Sequence, residues 1–418
     1  MSRFSTISVI GLGYIGLPTA AMFAAQKINV IGVDTNAQVV DTINRGEIHI
    51  VEPNLDEAVR VATRDGYLTA QTAPSPAEAF LIAVPTPFLG ENRDPDLSYI
   101  QAAARAIAPV LQPGNLVILE STSPVGATEA MADWLASARP DLTFPQTAGE
   151  ASDIRIAHCP ERVLPGKVME ELITNDRVIG GITSKCADDA IELYKTFVAG
   201  ECVRASGPRA AEMAKLTENS FRDVNIAFAN ELSLICDRLD IDVWELISLA
   251  NRHPRVNILQ PGPGVGGHCI AVDPWFIVSS APDQSRLIQT ARGVNDHKPD
   301  WVLRKVRAEV ERYLADAPGK DVSDVSVACY GLTFKPDIDD LRESPALHIA
   351  RRLNVDHPGP LLAVEPNIKV LPEGLDGARL VSFDEARAMA DVHVYLVAHR
   401  DFQSAAGQMD YQVKTVKL

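Results

Sequence analysis

Ile7-Ser-Val-Ile-Gly11-Leu-Gly13-Tyr-Ile-Gly16 is the stretch from which the fold follows. A short β-branched run ends in Gly-x-Gly-x-x-Gly, and a helical pattern through Ala20, Ala21 and Phe23 follows at once. Strand, glycine turn and helix in that order make the phosphate-binding turn of a βαβ unit. Gly11 permits the tight turn, Gly13 lets backbone approach a pyrophosphate, and Gly16 lets helix and strand pack closely; the helix N-terminus then faces the anion. A lone Gly-x-Gly-x-x-Gly is weak evidence. Here Asp34 closes the next strand-like run, 18 residues beyond Gly16, where a carboxylate accepts the adenosine ribose hydroxyls and repels a 2′-phosphate. The pair points to a dinucleotide fold that takes NAD rather than NADP.

Working outward, strand-like runs fall at 7–10, 30–33, 79–84, 116–120, 154–158 and 178–179, alternating with helical patterns. Apolar runs of this kind predict a parallel sheet covered on both faces. Ligands of such sheets lie beyond the carboxyl ends of the strands. The turns carrying Thr86, Thr122, Thr128, and Glu161 with Arg162 follow those ends and should line one crevice. After about residue 205 the pattern changes: Phe221, Val224, Phe228, Leu232, Ile235 and Leu239 recur at steps of three and four, the mark of a long amphipathic helix. More helix is expected at 243–251 and 284–314. A turn-rich stretch at 317–321 reads as a linker, and strands at 325–330, 361–364 and 392–397 with helices near 345–353 and 383–390 predict a second α/β unit. The expected fold class is α/β, two Rossmann-like doubly wound domains (1–205 and 317–418) joined by an all-helical domain (206–316).

Composition narrows the function. The chain of 418 residues carries 39 Lys and Arg against 55 Asp and Glu, a formal charge of −16, so its surface as a whole repels nucleic acid and anionic membranes. An anionic ligand must be drawn in by a local cluster of cations and backbone N–H groups. The six cysteines, at 159, 186, 202, 236, 269 and 329, are spaced too widely for a CxxC metal or redox pair and read as reduced thiols, with no metal site. The N-terminus lacks a signal peptide's basic and apolar regions, and no apolar run is long enough to span a bilayer. The expectation is a cytoplasmic protein.

Gln260-Pro-Gly-Pro-Gly264-Val-Gly266-Gly-His-Cys269-Ile-Ala-Val-Asp273-Pro is the most unusual segment. Four glycines in six residues sacrifice local stability unless backbone must come very close to something. Without the Lys-Ser/Thr ending of a P-loop, triphosphate is disfavoured. Cys269 reads equally as a nucleophile and as one more small buried residue. On the long helix, Lys215, Asn219 and Arg222 fall at i, i+4 and i+7, a polar stripe suited to an oxyanion, an alcohol proton and a phosphate, or simply to water. Arg252-His253-Pro-Arg255 adds positive charge. After the strand ending at Tyr330 stands one glycine only, so a second NAD is not indicated; Lys335 and Arg342 could hold a nucleotide diphosphate or reach the first cofactor.

These motifs together, with Ser121-Thr-Ser-Pro-Val-Gly126, Cys159-Pro-Glu161-Arg162, Glu212-Met-Ala-Lys215-Leu-Thr-Glu-Asn219 and Gly331-Leu-Thr-Phe-Lys335, resemble the UDP-glucose/GDP-mannose dehydrogenase family over essentially the whole length. The stretches 251–257 and 264–276 look like the branch whose sugar is N-acetylmannosamine. Val272 stands where the UDP-glucose branch has Lys, which argues against glucose; N-acetylglucosamine, a C2 epimer, is not separated by spacing.

The resemblance implies a homodimer held by the central domain and a UDP-sugar whose C6 alcohol is oxidised to a carboxylate with two NAD per turnover, feeding polysaccharide synthesis. It implies Cys269 as nucleophile, Lys215 as proton donor and acceptor with Asn219 beside it, and Glu161 placing the hydrolytic water with help from Asp273. Arg162, Val163, Arg222, His253, Arg255, Gly266, Phe334 and Lys335 match sugar-nucleotide positions, Arg255 being a candidate to cross from a partner subunit. Gly11, Gly13, Tyr14, Ile15, Gly16, Asp34, Thr86, Thr122, Thr128 and Arg342 match cofactor positions. Two rival readings are a two-electron hydroxyacid-type dehydrogenase, which leaves the thiol loop unexplained, and a non-catalytic nucleotide-binding protein.

Overall fold

The computed structural model describes residues 3–90, 93–267, 269–402 and 414–416; His268 of the glycine loop lies outside them. Contacts divide the chain into two compact units, one of Met1–Glu218 with Trp275–Pro282 and one of Asn219–Pro274 with Asp283–Leu418.

The first unit is built on β1 (Thr6–Ile10), β2 (Asn29–Val33), β3 (Leu68–Gln71), β4 (Ala79–Ile82), a two-stranded ribbon of β5 (Phe88–Leu89) and β6 (Asp94–Pro95), then β7 (Leu116–Leu119), β8 (Arg155–His158), β9 (Arg177–Gly181) and β10 (Cys202–Arg204). Its main sheet runs β3-β2-β1-β4-β7-β8-β9-β10. The first six are parallel, in register Ile7↔Val30, Ile7↔Ala79, Ala79↔Leu116 and Leu116↔Arg155. That is the doubly wound order, with its switch point between β1 and β4. The apolar runs divide by the two-residue period of a strand: Ala79, Leu81, Leu116 and Ile118 join one core, while Phe80, Ile82, Val117 and Leu119 join the core on the opposite face.

The expected strands are present; β3, β10, the ribbon of β5 and β6 and the direction of β9 were not read from the sequence. β3 and β10 are edge strands of four and three residues, and polar side chains (Thr69, Gln71, Arg204) interrupt their apolar pattern. β9 runs antiparallel to β8, pairing Ala157↔Gly181, which departs from the all-parallel expectation; apolar runs carry no sign of direction, and an antiparallel edge on a parallel sheet is common.

The long helix Pro208–Leu239 begins in the first unit and ends in the second, where Val243–Ala250 and Arg286–Ala315 follow. A further helix, Asp273–Ser280, begins just beyond the glycine loop. The second sheet comprises β11 (Val327–Tyr330), β12 (Leu361–Val364), β13 (Arg379–Leu380), β14 (Val392–Tyr395) and β15 (Lys414–Val416). All are parallel, in the order β13-β12-β11-β14-β15, the same winding as the first five strands of a doubly wound sheet. Among the described residues no helix is long and apolar enough to cross a membrane.

Candidate active site

The glycine turn has the geometry its spacing implies. Gly11 has φ +92°, and a Cβ on Gly16 would lie 1.8 Å from the Gly11 carbonyl oxygen, so only glycine lets the helix start this close to β1. A Cβ on Gly13 would meet nothing within 4 Å, which leaves open space over the turn for a pyrophosphate. Asp34 follows β2; its Oδ2 accepts from Leu12 N–H (3.1 Å) and its Oδ1 from Asn36 N–H (2.9 Å), fixing the carboxylate beside the turn. These residues fit NAD. Tyr14 is exposed and Ile15 half-buried at the same turn.

Beyond β4 and β7, Thr86 and Thr122 meet: the Thr86 hydroxyl donates to the Thr122 carbonyl at 2.6 Å, and Ser121 donates to the Val84 carbonyl at 2.6 Å. Thr128 is fully buried, and its hydroxyl and N–H both donate to Glu212, at 2.6 and 2.8 Å. The other Glu212 oxygen accepts from Gly126 N–H at 2.7 Å. Glu212 therefore caps the helix Ala127–Ala138 from another element, which ties the Thr128 hydroxyl to a structural task. Burial raises the Glu212 pKa against these donors.

Glu161 lies beyond β8 and is buried. Its Oε1 accepts from Arg162 N–H at 2.7 Å and its Oε2 from the Arg177 guanidinium at 2.6 Å. Arg162 forks onto Glu218 at 3.0 and 2.6 Å, half-exposed. Val163 packs against the first core. Lys215 is buried on the long helix in the same unit.

In the second unit the thiol loop meets its reason for being glycine-rich. A Cβ on Gly266 would sit 2.5 Å from the Glu343 carbonyl oxygen and 2.8 Å from Phe334 Cβ, and one on Gly267 2.8 Å from the Phe334 ring. Gly267 N–H donates to the Arg342 carbonyl at 3.1 Å. Cys269 then opens a helical turn, its carbonyl accepting from Val272 N–H (3.1 Å) and Asp273 N–H (2.9 Å). Asp273 is buried and accepts from Asn219 Nδ2 at 2.5 Å. Cys269 is exposed, whereas Cys159, Cys186, Cys236 and Cys329 are buried and Cys202 is half-buried. Val272, too, is buried.

The polar stripe on the long helix splits: Lys215 and Asn219 are buried, so a solvated face does not account for them, while Arg222 is exposed. His253 and Arg255 are exposed, with the His253 ring accepting from Arg255 N–H at 3.3 Å. Lys335 is half-buried, and Arg342 forks onto Asp340 at 2.9 and 2.6 Å. Sequence reasoning missed Arg177 on β9 and Tyr194 on the helix Ser184–Tyr194, elements that carry no motif. Their only signal was a charged or polar residue in or beside an apolar run.

Three consecutive segments match the UDP-glucose/GDP-mannose dehydrogenase family: its NAD binding domain at residues 5–198, its central domain at 209–297 and its UDP binding domain at 328–416. The chain belongs to this family. A UDP-N-acetyl-D-mannosamine dehydrogenase of Salmonella typhi is 65% identical over 98% of this chain and 97% of the relative. An NDP-N-acetyl-D-galactosaminuronic acid dehydrogenase of Ralstonia nicotianae is 62% identical over 96% of this chain and 92% of the relative. Among solved structures, a UDP-D-ManNAc dehydrogenase from Pyrococcus horikoshii superposes with TM-score 0.84 at 38% identity, covering 96% of this chain and 90% of that one. As a member of this dehydrogenase family the chain is an NAD-dependent enzyme, its cofactor domain the one built on the Gly11–Gly16 turn.

Proposed function

We propose that the chain oxidises the C6 alcohol of UDP-N-acetyl-D-mannosamine to the carboxylate through a covalent intermediate on Cys269. The observation that carries the thiol's role is exposure: Cys269 alone of the six cysteines is exposed, at a turn braced by the Asn219–Asp273 pair. NAD, when bound, would accept one hydride in each of two successive oxidations, a fresh NAD replacing the NADH formed in the first. Lys215 takes the alcohol proton as the aldehyde forms. The Cys269 thiolate adds to the aldehyde carbonyl, and Lys215 with Asn219 steadies the oxyanion of the thiohemiacetal. Loss of a second hydride leaves a thioester. Water placed by Glu161, with Asp273 assisting, cleaves the C–S bond, returning the thiol and releasing the carboxylic acid. Arg162, Val163, Arg222, His253, Arg255, Gly266, Phe334 and Lys335 would hold the sugar nucleotide.

The names of the relatives and the buried apolar Val272 support an N-acetylated sugar over glucose. One relative of nearly equal similarity is named for a galactosaminuronic acid, so the assay sets UDP-N-acetylmannosamine beside UDP-N-acetylglucosamine, UDP-N-acetylgalactosamine and UDP-glucose. The expected result is fastest turnover on the first with two NADH per sugar; one NADH per sugar would refute the four-electron scheme. Cys269→Ser should abolish carboxylate formation and leave NAD binding intact, and unchanged turnover would remove the covalent role. The same reading takes the three-domain division at 205 and 316, a homodimer and a cytoplasmic location as part of the enzyme.

A further inference from the structure

Behind Glu161 lies a buried charge cluster to which the scheme above assigns nothing. Arg177 on β9 is 2% exposed, Glu161 6% and Glu120, at the end of β7, 1%. One guanidinium faces two carboxylates: Arg177 Nη1 lies 2.6 Å from Glu161 Oε2 and 3.7 Å from Glu120 Oε1. Glu120 Oε1 also accepts from the Tyr194 hydroxyl at 3.0 Å, and the guanidinium lies 4.9 Å from the centre of the Tyr194 ring. Two buried anions beside one cation leave an uncompensated charge, so burial opposes ionisation of the second carboxylate. Desolvation raises the Glu120 pKa to about 7, and it also raises those of Cys159 and Tyr194 in the same cluster. His158, buried beside them in sequence, is pushed down to about 3 and stays neutral. The short, charge-assisted bond belongs to Glu161.

We propose that Arg177 is a positioning residue for thioester hydrolysis, holding the Glu161 carboxylate in one fixed orientation. The proposal rests on the reading of Glu161 as the residue that places the water. Arg177 touches one Glu161 oxygen and the Arg162 N–H the other, so the carboxylate plane is set from both ends. An oriented charge of this kind acts only on the step it faces. Its loss should therefore slow hydrolysis and spare the two oxidations.

The test is rapid-mixing kinetics on the full chain with UDP-N-acetylmannosamine and NAD. Arg177→Lys keeps the positive charge but loses the planar fork; Arg177→Met removes both. In each we expect a fast burst of two NADH per Cys269, then steady turnover slowed tenfold or more, with acyl-enzyme on Cys269 seen by intact-mass spectrometry. In a Glu161→Gln background, Arg177→Lys should cause no further slowing. NAD affinity, measured by titration, reports folding; should Arg177→Met fail to fold, Arg177→Lys decides. An unslowed steady state in Arg177→Lys, or equal slowing of burst and steady state, overturns the proposal. If Glu161→Gln alone hydrolyses the thioester at the native rate, what falls is the role of Glu161 and with it the basis for Arg177.

Discussion

At the scale of single residues, Gly266 shows how a local signal can be right about need and silent about cause. The density of glycine in the thiol loop announced a close approach, and the approaching groups turn out to be the Glu343 carbonyl, Phe334 and Pro345, some 70 residues further along the chain. A methyl group at Gly266 would have to displace backbone, which cannot yield as a flexible side chain would. Gly266→Ala is expected to destabilise the chain by about 1–3 kcal/mol and to cut turnover at least tenfold by shifting Cys269. Gly262→Ala, whose Cβ would meet only the Gly264 carbonyl at 3.9 Å, is the control and should be near neutral in both. Thermal melts and NADH assays on the two variants decide; equal effects would mean that packing against Phe334 and Glu343 does not hold the loop. Cys269 illustrates the complementary case. Its spacing left nucleophile and buried filler in balance, and exposure, a property of the folded chain, removes the buried-filler reading.

At the scale of elements, the helix Ala127–Ala138 starts at Gly126 and has no side-chain cap of its own. Glu212 supplies one from the long helix, satisfying the N–H groups of Gly126 and Thr128, donors that an uncapped helix end leaves orphaned. Glu212→Ala should cost about 1–3 kcal/mol by leaving buried donors unpaired. Denaturant unfolding measures the total, and amide exchange at Gly126 and Thr128 should accelerate more than exchange in β1. If those two amides are no less protected than before, the cap contributes nothing. Thr128 was legible as a turn residue near the cofactor, but the partner of its hydroxyl was not. Glu212 was visible in a motif, yet nothing in its spacing names a helix start more than 80 residues upstream.

At the scale of the whole molecule, four positions of the apolar stripe of the long helix stay exposed among the described residues. Phe221 is 68% exposed, Phe228 51%, Ile235 48% and Leu239 60%. The first three stand seven residues apart on one face, the repeat by which helices of separate chains pack. The homodimer proposed above would cover that face, and on that proposal Phe228→Glu should halve the mass seen by light scattering after gel filtration. A native chain that already runs as a monomer, or a variant that keeps the dimer mass, would count against this surface.

The two sheets repeat one winding with different chemistry. In the first, Asp34 accepts from Leu12 N–H just past Gly11 and stays half-exposed. In the second, Glu365 follows β12, accepts from Leu332 N–H (2.8 Å) just past Gly331, and is sealed by His399 at 3.0 Å. The acidic residue that could receive a ribose in the first sheet is buried in the second, consistent with a single NAD fingerprint.

The sequence by itself determined the strand–turn–helix start of the first sheet, the α/β class of the second and the cofactor class, because each rests on order and spacing within some thirty residues: strand, turn, helix, acid. Only the tertiary structure decided the direction of β9, the groups that press on the thiol loop, the cap on Thr128 and the guanidinium on Glu161. Those depend on which distant side chains share a desolvated volume, and burial and charge pairing are energies of the folded arrangement that no local pattern encodes.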